Sequence, residues 1–135
     1  MKALKVLLIA VVVLLALLVG GGLLLSPKYT LSRSVTVNAP AEKIYALVAD
    51  PRGWKQWSAW NQRDPAMAIE YSGPASGAGA VWAWKSKSQG DGRMTFTTAE
   101  PPKRLAYELY FPDFNSTSTG DFRLDANGGA TQVTW

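Results

Sequence analysis

The sequence predicts a membrane-crossing helix followed by an α+β domain whose main element is an antiparallel sheet. Three observations carry this expectation. A 20-residue apolar run extends from Val6 to Leu25, about the length needed to cross a hydrocarbon core as a helix. A short stripe of helical spacing, Ile44, Leu47 and Val48, is followed by three tryptophans set three apart, Trp54, Trp57 and Trp60. From Met67 onward, apolar side chains alternate with polar ones between clusters of Gly, Pro, Asn and Asp, the pattern of antiparallel strands joined by turns.

The apolar run has no polar face, so it does not read as the amphipathic helix of a soluble core. A cleaved secretory signal has a shorter apolar stretch and a small-x-small cleavage pattern. Here Leu23, Leu24 and Leu25 run straight into Ser26-Pro27-Lys28. The expectation is an uncleaved, single-pass anchor over residues 1–25. Lys2 and Lys5 lie on a short N-terminal tail and favour a cytoplasmic N-terminus, with the domain on the other side of the membrane. Lys28 and Arg33 pull the opposite way. Residues 26–135 make one domain, large enough to bury a core.

Within the domain, Tyr29 to Asn38 alternates as a half-buried strand, with Leu31, Val35 and Val37 on one face and Arg33 interrupting the row. Asn38-Ala39-Pro40 reads as a helix start, with Asn38 a candidate cap and Pro40 in the first turn. Asp50-Pro51 ends that helix, because the residue before a proline avoids the helical region. The tryptophan trio lies along one side of a short helix or helical turn. Met67, Ile69 and Tyr71 then form a strand row, and residues 73–79 a small-residue turn. Ala80, Trp82 and Trp84 form a second row, Met94, Phe96 and Thr98 a third, and Leu105, Tyr107, Leu109 and Phe111 a fourth. Phe122 and Leu124 mark another strand. Asn127-Gly128-Gly129 is a hairpin signal, and Val133 and Trp135 open a last strand.

Composition narrows the function. The net charge is +4, and the basic residues of the domain are interspersed with acids rather than gathered in the dense stripe of a nucleic-acid binder. The chain has no cysteine and no histidine. Disulfides, thiolate metal sites and the commonest general base are therefore ruled out, and neither a metal nor another cofactor is expected. Glu70, Glu100, Glu108, Asp113 and Asp121 show no spacing diagnostic of an acid–base pair, so no catalytic residue is assigned. The glycine-rich stretch 73–79 lacks the lysine and Ser/Thr of a phosphate loop.

Taken in order, these pieces resemble a known family. They are Val35-Thr36-Val37-Asn38-Ala39-Pro40-Ala41-Glu42-Lys43-Ile44-Tyr45, Asp50-Pro51 before Trp54, and Trp57-Ser58-Ala59-Trp60. Gly79 with Trp82 and Trp84, Gly92-Arg93-Met94-Thr95 and Pro102-Lys103-Arg104-Leu105 follow. Thr119-Gly120 before Phe122, and Thr131-Gln132-Val133-Thr134-Trp135, complete the set. Over residues 29–135 the chain resembles the START-like, or Bet v 1-like, superfamily, in its polyketide cyclase/dehydrase and lipid transport group. The resemblance implies a helix-grip fold, a curved sheet wrapped around a long C-terminal helix with an apolar cavity between them. No such helix follows Trp135, so the expectation is a truncated domain with a bare apolar sheet face that folds poorly as written.

The cavity is expected to be lined by Trp54, Trp57, Trp60, Trp82, Trp84, Met94, Phe96, Tyr107 and Leu109. Trp54, Trp57 and Trp60 could alternatively form a membrane-facing rim, but the reading the trio favours is core plugging one end of the sheet. The leading functional expectation is a membrane-tethered, non-enzymatic module that binds a lipid or other apolar small molecule. The alternatives are a cyclase/dehydrase-like enzyme, as the family resemblance implies, and a protein-binding module like the chaperone-associated relatives.

Overall fold

The computed structural model describes residues 2–24 and 28–135. Their contacts divide into two units, one holding the N-terminal helix and the other comprising Ser32–Trp135. The helix α1 spans Lys2–Leu24 with no buried residue. At about 1.5 Å per residue its 23 residues reach roughly 35 Å, enough for a hydrocarbon core of about 30 Å. The end of the predicted anchor, at residue 25, lies outside the described residues.

The second unit is an α+β domain with a curved, wholly antiparallel, seven-stranded sheet. Its elements are β1 (Ser34–Val37), α2 (Ala41–Ala49), a 3-10 turn at Gly53–Gln56, α3 (Ala59–Arg63), β2 (Ala68–Ser72), β3 (Val81–Lys85), β4 (Gly92–Glu100), β5 (Arg104–Phe111), β6 (Ser116–Asn127) and β7 (Ala130–Thr134). The strand order is β1-β7-β6-β5-β4-β3-β2. β2 to β7 therefore form a continuous meander, while β1 and β2, consecutive in sequence, occupy opposite edges. The helical segment between them must cross the sheet, and in doing so it covers the inner face. α2 packs across β5 and β6.

Residues paired across antiparallel strands share a face. The register therefore assembles one inner surface from Ile69↔Trp84, Tyr71↔Trp82, Trp82↔Met94, Met94↔Leu109, Phe96↔Tyr107, Leu105↔Phe122 and Leu124↔Val133. The register shifts between Phe96 and Thr98 of β4. Such a bulge adds local twist and bends the strand. Gly128 and Gly129 close the β6–β7 hairpin at φ 56° and 93°, the positive values that a tight two-residue turn demands.

Several local expectations shift. The buried face of α2 is Ala41, Tyr45, Val48 and Ala49; of the expected stripe, Val48 lies on it and Ile44 packs against the core half-buried. The two alanines let the helix approach the sheet closely, and the Tyr45 ring fills the space beside them. The helix is capped by Pro40, with no side-chain cap bond, so Asn38 does not cap it. The first strand is also shorter than its alternation suggests. Leu31 is 67% and Val35 60% exposed; β1 pairs on one side only, and among the described residues of the sheet unit α2 packs over β5 and β6 instead. Arg33 is exposed, and its guanidinium donates to the Ser32 carbonyl at 3.1 Å.

Candidate functional site

The core is organised around Trp54, which is 1% exposed. Its indole Nε1 donates to the Val48 carbonyl at 2.8 Å, pinning the 3-10 turn under the C-terminus of α2. The Trp54 ring touches Trp57 at 4.5 Å, Trp82 at 5.4 Å, Phe122 at 5.8 Å and Phe96 at 6.2 Å between centroids. The tryptophan trio does not lie on one continuous helix. The chain breaks at Ser58 between the 3-10 turn and α3, so Trp54 is sunk into the core, Trp57 is half-buried beside it, and Trp60 reaches the surface.

On the far side of Trp54 lies an apolar cleft. It encloses about 490 Å³ of space, its open mouth included, of which only about 50 Å³ is wide enough to hold water-sized spheres. The cleft is a slit rather than a chamber. Of the nine residues predicted to line a cavity, it brings together Trp54, Trp60, Trp82, Trp84, Met94, Tyr107 and Leu109. Phe96 and Trp57 are not part of this wall. Phe96 is 1% exposed behind it, and Trp57 packs edge-on against Phe122.

Four further residues complete the wall: Met67, Gln89, Phe111 and Trp135. Met67 and Phe111 extend apolar rows visible in the sequence, and Trp135 sits one residue beyond β7. Gln89, a polar residue in the β3–β4 loop, carries no signal in the sequence. None of these eleven side chains is formally charged.

Glycines make room for two of the wall residues. The Trp84 ring lies over Gly92 on β4, and the Tyr107 ring over Gly120 on β6, where in each case a side-chain carbon would overlap the ring. The polar ends of the wall are tied back to the protein. Trp84 Nε1 donates to the Gly90 carbonyl at 3.1 Å. Trp135 Nε1 donates to the Tyr107 hydroxyl at 2.6 Å, and the Trp135 ring stacks on Phe122 at 4.9 Å. Burial pushes the Tyr107 hydroxyl above the ordinary phenol value, against the opposing pull of the Trp135 bond, so it stays neutral. Arg33 and Trp135 exchange backbone hydrogen bonds at 2.7 and 2.8 Å. The chain thus enters the domain beside a wall residue.

Two loops are clasped together near the mouth. Asp64, just after α3, accepts from Ser86 Oγ at 2.6 Å and Ser88 Oγ at 3.3 Å in the β3–β4 loop that carries Gln89. The Ser86 bond, helped by the Ala66 N–H and Ser88 and opposed by desolvation, holds the Asp64 carboxyl below its ordinary value. The predicted acids Glu100 and Asp121 form ion pairs instead of a catalytic dyad. Asp121 bonds Arg104 at 2.7 Å and Arg123 at 3.0 Å, and Arg104 also reaches Glu100 at 3.5 Å. A wider hollow of about 280 Å³ on the outer face, bordered by Glu70, Lys85, Arg93 and Tyr110, mixes both signs of charge in open solvent. The inner cleft is the candidate site because it is enclosed and apolar. Among the described residues, no group of three or more carboxylates gathers where a metal could bind.

The description "Polyketide cyclase / dehydrase and lipid transport" matches residues 28–135. No curated protein sequence matches the chain. Solved structures do. An Aha1 dimer from Colwellia psychrerythraea shares 19% identity at a TM-score of 0.58, over 79% of this chain and 73% of that one. CalU16 from Micromonospora echinospora shares 21% at 0.54, over 76% of this chain but only 55% of its own, so the match spans about half of CalU16. The Mll3558 protein from Rhizobium loti shares 23% at 0.55, over 78% and 74%. At these identities the likeness speaks for the fold, while the family match covers the whole sheet and every wall residue of the cleft. On that match, the chain belongs to the polyketide cyclase/dehydrase and lipid transport family.

Proposed function

We propose that this protein is a membrane-tethered binding module that holds an apolar small molecule in the slit between its sheet and Trp54. The observation that carries the reading is the wall itself, eleven side chains without a formal charge, five of them tryptophans. Such walls recognise ligands by burying apolar surface, with a few polar groups fixing orientation. The slit form favours a flat or thin occupant. The proposal includes α1 as a single-pass anchor, supported by its length and its lack of buried residues. It places the domain on the non-cytoplasmic side, supported by Lys2 and Lys5 on the short tail before the apolar run.

Native mass spectrometry of the full chain released from lipid nanodiscs tests the binding reading. The expected result is a small-molecule adduct that Leu109→Arg, which puts a charge into the wall, diminishes. A bare chain, or an adduct undiminished in Leu109→Arg, would contradict it. A reporter fused after Trp135 that is active only in the cytoplasm would overturn the orientation.

A further inference from the structure

Three indoles of the wall have spent their N–H groups within the protein. Trp54 donates to the Val48 carbonyl, Trp84 to the Gly90 carbonyl and Trp135 to the Tyr107 hydroxyl. Trp82, between Trp54 and Trp84, differs. It is 2% exposed, yet its Nε1 is buried with no acceptor among the described residues. Tyr107 presents a second unspent donor. Its oxygen accepts from Trp135, a role that leaves the hydroxyl proton to be donated elsewhere. A donor left unpaired away from water is costly. Both residues line the same cleft, and we take these two donors as the polar groups that an occupant would meet.

Charge limits that occupant further. The wall holds no cation, and Arg63 lies over the ring of the exposed Trp60 at 5.7 Å, at the rim. A carboxylate drawn into the slit would be buried with no counter-ion, which is strongly unfavourable. A pure hydrocarbon would leave both donors unmatched. Resting on the binding reading above, we propose that the cleft selects a neutral, flat or thin molecule carrying a hydrogen-bond acceptor, such as a ketone or ester carbonyl, which Trp82 Nε1 and the Tyr107 hydroxyl engage.

The test uses the full chain in lipid nanodiscs and three probes of one shape: 2-acetylnaphthalene, 2-ethylnaphthalene and 2-naphthoate. Binding is followed through the indole N–H resonances in ¹H–¹⁵N spectra. The acetyl probe is expected to bind about three- to tenfold more tightly than the ethyl probe, the range one neutral hydrogen bond supplies, and to move the Trp82 indole resonance most. The carboxylate is expected to bind weakest. Tyr107→Phe, measured in the same nanodiscs so that partition into lipid cancels, is expected to narrow the acetyl preference. Trp135→Phe, which keeps the Tyr107 hydroxyl, is expected to retain it. Equal binding of acetyl and ethyl probes, or tightest binding of the carboxylate, would overturn the inference and leave the apolar-cavity reading standing. Failure of all three probes to bind would overturn both.

Discussion

Trp54 and Trp82 touch, and both are almost wholly buried, yet they sit in regions of opposite character. Around Trp54 the packing is dense, and only one edge of the ring borders the slit. Its N–H is satisfied by a backbone carbonyl, and rings surround it on several sides. Around Trp82 one side is protein and the other is the slit, and its N–H is unmatched. The same residue type therefore serves as a plug in one region and as a wall in the next. What separates the two is whether a helix segment covers that part of the sheet. α2 and the 3-10 turn cover the β5–β6 half, and only the short α3 with its exposed Trp60 approaches the mouth.

The comparison breaks most visibly at the plug. Trp54→Ala should cost about 3–5 kcal/mol of domain stability, the range for deleting a large aromatic from a packed core, read by chemical denaturation of the full chain. A loss under about 1 kcal/mol would mean that Trp54 lines the slit without anchoring the core. At the wall, Gly120→Ala pushes on the Tyr107 ring, and overpacking of this kind typically costs about 1–3 kcal/mol. Its signature should be a displaced Tyr107–Trp135 pair, seen as a shifted Trp135 indole resonance. An unchanged resonance would show that the ring has room to spare.

The smallest effect concerns the clasp at the mouth. The folded-state pKa of Asp64 is depressed, chiefly by Ser86, so its stabilising contribution is present above the ordinary carboxylate value of 3.8 and is lost as pH falls through the folded value. Asp121 behaves alike: burial raises its pKa, but the bonds from Arg104 and Arg123 outweigh it. Stability should therefore fall on acidification below about pH 4, and Asp64→Asn should make the slope shallower. An identical slope in the variant would remove Asp64 from the account.

Much of this was legible in the sequence because local chemistry decides it. Asp50-Pro51 stops α2, Gly128-Gly129 closes the last hairpin, and alternation sets the inner face from Ile69 to Val133 except at the β4 bulge, where Ala99 rather than Thr98 pairs with the inward Leu105. The sequence does not show which tryptophan goes where, because spacing cannot report the break at Ser58. It also hides the burial of Ala41 and Ala49 beside Val48 on α2, which depends on how closely the sheet lets a helix approach. Gln89 and the Asp64–Ser86 clasp join segments 22 residues apart through a loop that looks like ordinary polar surface. The exposure of Leu31 and Val35 is hidden too, because alternation reports which face a residue shares, while coverage of that face is set by the fold.

The account's central claim is that the slit admits an apolar molecule, and the absence of cysteine from the sequence allows a direct measurement. Neighbouring residues on β5 point to opposite faces, Leu109 into the slit wall and Glu108 away from it. Leu109→Cys and Glu108→Cys variants of the full chain, alkylated with a small maleimide, report the two faces separately. Saturating 2-acetylnaphthalene should slow alkylation at position 109 several-fold and leave position 108 unchanged. Equal rates with and without the probe at position 109 would contradict the claim.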